Sequence, residues 1–139
     1  MDDAEAVGAA NDAFYLAFEK RDLLRMRACW RGHPDDVCIH PGWEVTRGKK
    51  IMESWRDIFA TGMPMRFVIS DLSIEVVGDV ARVHNVENIY LGGDGEPLGR
   101  VAVTHLFQRV GRDWLLVVHH GSPIAQNELP ESDEDSAYH

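Results

Sequence analysis

The sequence is poor in positive charge: 14 Lys and Arg against 23 Asp and Glu give its 139 residues a formal net charge of -9. No Lys or Arg follows Arg112, while Glu128, Glu131, Asp133, Glu134 and Asp135 crowd the end. Without a basic stripe interleaved with aromatics, the electrostatics exclude nucleic acid as a partner. Long apolar runs are also lacking; none approaches the roughly 20 residues of a membrane span. Met1-Asp2-Asp3 has neither the basic nor the apolar segment of a signal peptide. A cytoplasmic protein with no membrane partner is therefore expected. Only two cysteines occur, Cys29 and Cys38, without CxxC spacing, so reduced thiols are expected rather than a disulfide or a redox motif. Repeats and low-complexity linkers are absent. What remains is 45% hydrophobic, enough for one compact domain and too little for two. The expectation is a single domain over 1–125 and an acidic, solvated, disordered tail over 126–139.

Helical spacing dominates the first half. Val7, Asn11, Phe14 and Phe18 share one face, and Asp2 with Glu5 forms a capping-box pattern at its start. A helix ending near Lys20 is expected, then a short one from Asp22 through Trp30 that buries Leu23, Met26 and Trp30. Val37-Cys38-Ile39-His40 reads as a strand and Pro41-Gly42-Trp43 as a turn. Ile51, Met52, Trp55, Ile58 and Phe59 mark a third helix between Gly48 and Gly62. From Met65 the period becomes two, predicting strands over Met65 to Val77, Val80 to Leu91, Gly99 to Arg109 and Asp113 to Ser122. Gly78-Asp79, Gly92-Gly93-Asp94-Gly95 and Val110-Gly111-Arg112 supply the hairpin turns. Phe67 and Ile69 differ in parity from Leu72, Ile74 and Val76, so a bulge near Ser70-Asp71 is needed to keep all five facing inward. Helices followed by a bent antiparallel meander make an α+β fold.

The strand from Val80 has a face of Ala81, Val83, Asn85, Glu87, Ile89 and Leu91, apolar except at its middle. A carboxylate among core residues has its pKa raised, which is what a general acid or base needs near neutral pH. Glu87 is the leading catalytic candidate, the alternative being an ion pair with Arg100 or Arg109. His119 and His120 point to opposite faces: parity puts Val117, His119 and Gly121 on one side and Trp114, Leu116, Val118, His120 and Ser122 on the other. A simple hairpin would pair Thr104 with His119 and turn His105 outward, so a bulge must intervene if both imidazoles face inward. No metal is expected among the seven histidines, because no HxH or HExxH element occurs and His40, His105 and His119 would have to converge by fold alone. Ser122 lacks the setting of a nucleophile elbow.

The order of elements, with Cys38-Ile39-His40-Pro41-Gly42-Trp43, Thr104-x-x-Phe107 and Trp114-x-x-x-x-x-His120-x-Ser122, resembles the nuclear transport factor two-like superfamily. Its SnoaL-like and ketosteroid isomerase-like members, and the association domain of calcium/calmodulin-dependent protein kinase II, are the nearest in pattern. The resemblance implies a cone: a curved antiparallel sheet with three helices on its concave face, a pocket between them, and a homodimer through the outer face. It places His119 inside with His120 outside, and His40 and Trp43 at the mouth. It also implies arginines at the positions of His105 and Gly121, both absent here, which leaves His105 as a protonatable substitute. Tyr15 is a candidate phenol donor, and Thr104 falls near the position of a donor carboxylate. The function so implied is cofactor-free binding of a small, mostly apolar organic molecule. Glu87 and His119 would then act as acid and base, with His40, Trp43, Asn85, Thr104, His105 and Tyr15 as ligand contacts, in an isomerase, dehydratase or cyclase. The alternative from a different class is a non-catalytic association or ligand-sensing module.

Overall fold

The computed structural model describes residues 1–92 and 95–125; the expected acidic tail lies outside the described residues. Helix α1 runs Asp3–Lys20. Its capping box is formed, with Glu5 N donating to Asp2 Oδ1 at 2.8 Å and Asp2 N donating to Glu5 Oε1 at 2.9 Å. Arg21, at φ 50, ends it in the left-handed region. Helix α2, Leu23–Cys29, starts on an Asp22 cap and stops at Trp30, and α3 spans Lys50–Thr61. Val7, Phe14, Met26, Trp30, Ile51 and Trp55 carry the helices onto the sheet as one buried cluster.

The strands are β1 Val37–Ile39, β2 Thr46–Arg47, β3 Met65–Val77, β4 Val80–Leu91, β5 Gly99–Val110 and β6 Asp113–Pro123. They form one open sheet in the order β2-β1-β6-β5-β4-β3, the α+β cone expected. The two-residue β2 is too short for any periodicity to announce. Gly78 and Gly111 turn the first and last hairpins at φ 61 and φ 64, where a Cβ would be strained. Among the described residues, no helix is long and apolar enough to cross a membrane.

Two bulges shape the inner face. On β3 the register shifts between Ser70 and Ser73, so Asp71 and Leu72 stand opposite Asn85 alone, with Asp71 at φ 54. Ile69 and Ile74 then both pack on the core. Leu72, expected inside, sits at the bulge and is 53% exposed. On β6, Leu106 pairs with Val118 and Phe107 with Leu116, leaving Val117 as the extra residue. This corrects the simple parity: Trp114 and Leu116 join the core with Phe107, and His119 is buried two positions beyond the bulge.

Candidate functional site

The second bulge settles where the imidazoles go. His105 and His119 are directly paired across β5 and β6, both fully buried, with His105 Nε2 2.8 Å from His119 Nδ1. From there a hydrogen-bonded chain crosses the interior. His105 Nδ1 reaches Asn11 Oδ1 at 2.7 Å; Asn11 Nδ2 donates to Asn85 Oδ1 at 3.0 Å; Asn85 Nδ2 donates to Tyr15 Oη at 3.0 Å; Tyr15 Oη donates to Glu87 Oε2 at 2.7 Å. The amide oxygen of Asn11 only accepts, so His105 Nδ1 carries the proton. With a neutral ring its Nε2 accepts from His119 Nδ1. Every donor therefore points the same way, from His119 towards Glu87, and His119 keeps a lone pair on Nε2.

Burial sets the protonation states. The Glu87 carboxyl, 3% exposed, is pushed up to about 7 by desolvation, against the lowering effect of the Tyr15 hydroxyl. Desolvation and the neighbouring Glu87 charge hold Tyr15 well above the usual phenol range. Burial lowers His105 to about 3 and His40 to about 4. His119 lies well below the ordinary imidazole value through burial, then through His105, His40 and His120. The histidine end is thus neutral at physiological pH, and the carboxyl end is poised near it.

Neither arginine considered for Glu87 touches it. Arg100 donates to Asn88, and Arg109 pairs with Asp3 and Asp79. The partner of Glu87 is Tyr15 instead. Thr104 is not in this site: on β5 it lies on the outer face, paired with His84 and His120. His40 is buried and hydrogen-bonded through Nε2 to Ser54 Oγ at 2.8 Å. Trp43 stands edge-on to the His40 ring, 46% exposed. Gly121, where the resemblance implied an arginine, has its side-chain space taken: a Cβ there would meet Pro41 Cγ at 3.1 Å and Val101 Cγ1 at 3.2 Å.

The expected pocket region is filled with rings. Phe14 packs against His105 at 4.5 Å and Trp55 at 5.5 Å between centroids, and Phe18 against Phe67 at 4.5 Å. A hollow of about 700 Å³ opens elsewhere, against Trp30, Pro34, Arg47, Ile51 and Met52. Another, of about 520 Å³, lies beside Trp43 and Lys50. Neither is lined by Glu87, His105 or His119.

Sequence reasoning missed four residues of the site. Asn11 was visible only as a polar break in an apolar helix stripe. Cys38 is brought beside His119 by the parallel pairing of β1 with β6. Ser54 accepts from His40 while donating to the Ile51 carbonyl at 2.6 Å. Trp55 packs on both His40 and His119, and its Nε1 is buried with no hydrogen-bond partner among the described residues, the kind of unsatisfied donor that calls for an explanation.

The SnoaL-like domain pattern matches residues 7–126. The chain is similar to a solved structure of a nuclear transport factor two-like family protein from Streptomyces avermitilis that carries a provisional dehydratase name. They are 36% identical over 89% of this chain and 97% of that one, with a TM-score of 0.80. It is also similar to a provisionally named calcium/calmodulin-dependent protein kinase type II association domain from Thiobacillus denitrificans, 29% identical over 85% of this chain and 94% of that one, TM-score 0.80. A Nostoc punctiforme protein with a cystatin-like fold, 16% identical over 91% of this chain and 94% of that one, TM-score 0.76, shares the fold. No match is found among curated proteins.

Proposed function

The chain belongs to the SnoaL-like domain family, and from that premise we propose that it is a cofactor-free acid-base enzyme of the dehydratase or isomerase kind, acting on a small, mostly apolar molecule with a polar group. One observation carries this reading: a buried carboxyl oriented by Tyr15 at the end of an ordered chain of polar side chains, its pKa pushed up to about 7 by that burial. Burying so many polar groups costs stability unless they are fully satisfied, and such a cluster is what proton transfer at neutral pH requires. In a dehydration, Glu87 takes the proton α to a carbonyl, the C–O bond to the β-hydroxyl breaks, and the leaving oxygen receives that proton from Glu87 and departs as water. His119, at the far end of the hydrogen-bonded chain, orders the side chains that hold Tyr15 on Glu87. His40 and Trp43 form the wall nearest solvent. Access requires Phe18, Trp55 and Phe67 to part. The provisional name of the Streptomyces relative supports this reaction class. The molecule works as a homodimer through the outer sheet face, where His84, Thr104 and His120 lie side by side.

The experiment is a panel of β-hydroxy carbonyl compounds, with formation of the conjugated product followed by ultraviolet absorbance. Turnover is expected in the wild type and a loss of at least about a hundredfold in Glu87→Gln, with the melting temperature kept or raised. The filled interior favours a second reading, a non-catalytic association module, which the similarity to the Thiobacillus domain supports. No turnover across the panel, together with an assembly that dissociates when the outer face is altered, would establish it instead.

A further inference from the structure

A second cluster adjoins the histidine end and is not used by Glu87. Strand β1 lies parallel to β6 with Cys38 opposite His119, so the two side chains leave the sheet on one face. His40, two residues after Cys38, continues on that face. One potential ligand atom from each of Cys38, His40 and His119 lies within 4.8 Å of the other two, and all three residues are buried. Cys38 Sγ is already 3.5 Å from His40 Nε2. We propose that Cys38, His40 and His119 form a binding site for a divalent cation of the zinc class, with one coordination position left open.

The donor set is one thiolate and two imidazoles, the mixture that borderline-soft ions prefer. Tetrahedral zinc with one sulfur and two nitrogen ligands places donor atoms roughly 3.3 to 3.6 Å apart, so closing the observed triangle, whose edges are all within 4.8 Å, needs shifts of up to about 1.5 Å at the longest edge. The support around it is also present. His119 gives its Nδ1 proton to His105 Nε2, whose own Nδ1 is held by Asn11. That fixes the tautomer in which His119 Nε2 has its lone pair free for a metal, as outer partners do for metal-bound histidines. His40 Nε2 rests on Ser54 Oγ, whose proton goes to the Ile51 carbonyl. On loading, the Cys38 thiol proton leaves to solvent, the His40 ring proton moves to Nδ1, and the hydrogen bond to Ser54 gives way to the metal bond. Three protein ligands leave a position for water or an exogenous ligand. Glu87 and Tyr15 stand at the other end of the hydrogen-bonded chain, so loading leaves them as the proton-exchanging pair.

The test is a titration of the full, chelator-stripped and reduced chain with cobalt(II), followed by zinc competition. One cobalt per chain is expected, with a thiolate-to-cobalt charge-transfer band in the near ultraviolet and intense tetrahedral visible bands, both displaced by zinc. Cys38→Ser should remove the charge-transfer band, His119→Gln should weaken binding at least tenfold, and Cys29→Ser should change nothing. His105→Leu should keep the band but weaken affinity about 10–100-fold, which marks His105 as a positioning residue. A wild type showing only the weak octahedral spectrum of aqueous cobalt overturns the proposal. So does a thiolate band that survives Cys38→Ser, or unchanged affinity in His119→Gln. The wild-type spectrum decides even if a variant fails to fold. Because no substrate is involved, metal uptake and the acid-base reading stand or fall separately.

Discussion

Four histidines occupy three adjacent strands, and two faces of one sheet make them different groups. His105 and His119 are buried against Phe14 and Trp55 with every polar contact directed. His84 and His120 lie on the other face beside Thr104, exposed. The inner pair is held neutral by desolvation. His119 and His120 are neighbours in sequence, so the difference comes from the sheet and not from the residue type. One backbone feature controls it: the extra residue Val117 sets which of the two faces inward.

The largest break in that comparison is to insert one alanine between Val118 and His119, beyond the bulge. Adding one residue to a strand turns everything beyond it to the opposite face. His120 and Ser122 would be driven into the core while His119 and Gly121 turned out, with several buried hydrogen bonds lost at once. The expected cost exceeds about 4 kcal/mol, read as loss of cooperative denaturant unfolding and of near-ultraviolet circular dichroism. An insertion variant that folds with near-native stability would show that the bulge widens to preserve His119, and that the observed register is not what fixes the site.

How far this could be read from the sequence follows the same division. Alternation, turn glycines and the capping box declare themselves locally, which is why the three helices, the long strands and the need for a bulge at Ser70-Asp71 were legible. Glu87 was visible as a carboxylate on an apolar strand face. Its partner was not, because Tyr15 is 72 residues away and its position on helix α1 gives no sign of what it meets. Leu72 was assigned inward because the width of a bulge is set by its partner strand, and Asp71 and Leu72 together oppose Asn85. Thr104 follows a family position, whereas the alternation of β5 with Val101, Val103 and Phe107 gives the inward place to His105, and the bulge at Val117 brings His119 opposite it. Cys38 gives no local sign of its neighbour His119, which arrives through a parallel pairing that only the fold creates.

A sharper test sits at the carboxyl end of the inner face. Glu87 has a folded pKa raised from its ordinary 4.5 to about 7. Its contribution to stability is therefore fully present below about 4.5 and is lost as pH rises through about 7. Unfolding measured for wild type and Glu87→Gln at several pH values isolates this, since the histidines are common to both. Relative to the variant, the wild type should lose about 3 kcal/mol between pH 4.5 and 8 and change little above that. Gln at this position still accepts from Tyr15, so its own fixed cost cancels in the comparison across pH. A stability difference independent of pH would mean the carboxyl is hydrated in solution and the inner face is open to water.

The smallest expected effect is on the outer face. His84→Ala and His120→Ala each remove an exposed ring, and the 3.5 Å approach of His84 Nδ1 to Thr104 Oγ1 is too long for a strong hydrogen bond. Each should change the stability of the isolated chain by no more than about 0.5 kcal/mol. His105→Ala, one sheet thickness away, should cost several times more, because it strands the Asn11 carbonyl and opens a void beneath Phe14. The same pair of outer variants, examined by sedimentation across a range of protein concentrations, separates a bare face from a joined one. If the molecule is a dimer through this surface, the outer rings are buried on association, and His120→Ala weakens the dimer while leaving the unfolding of the monomer unchanged. A stability loss in His120→Ala that does not vary with protein concentration would instead mean that the outer histidine is part of the fold itself, and the contrast between the two faces would be one of degree.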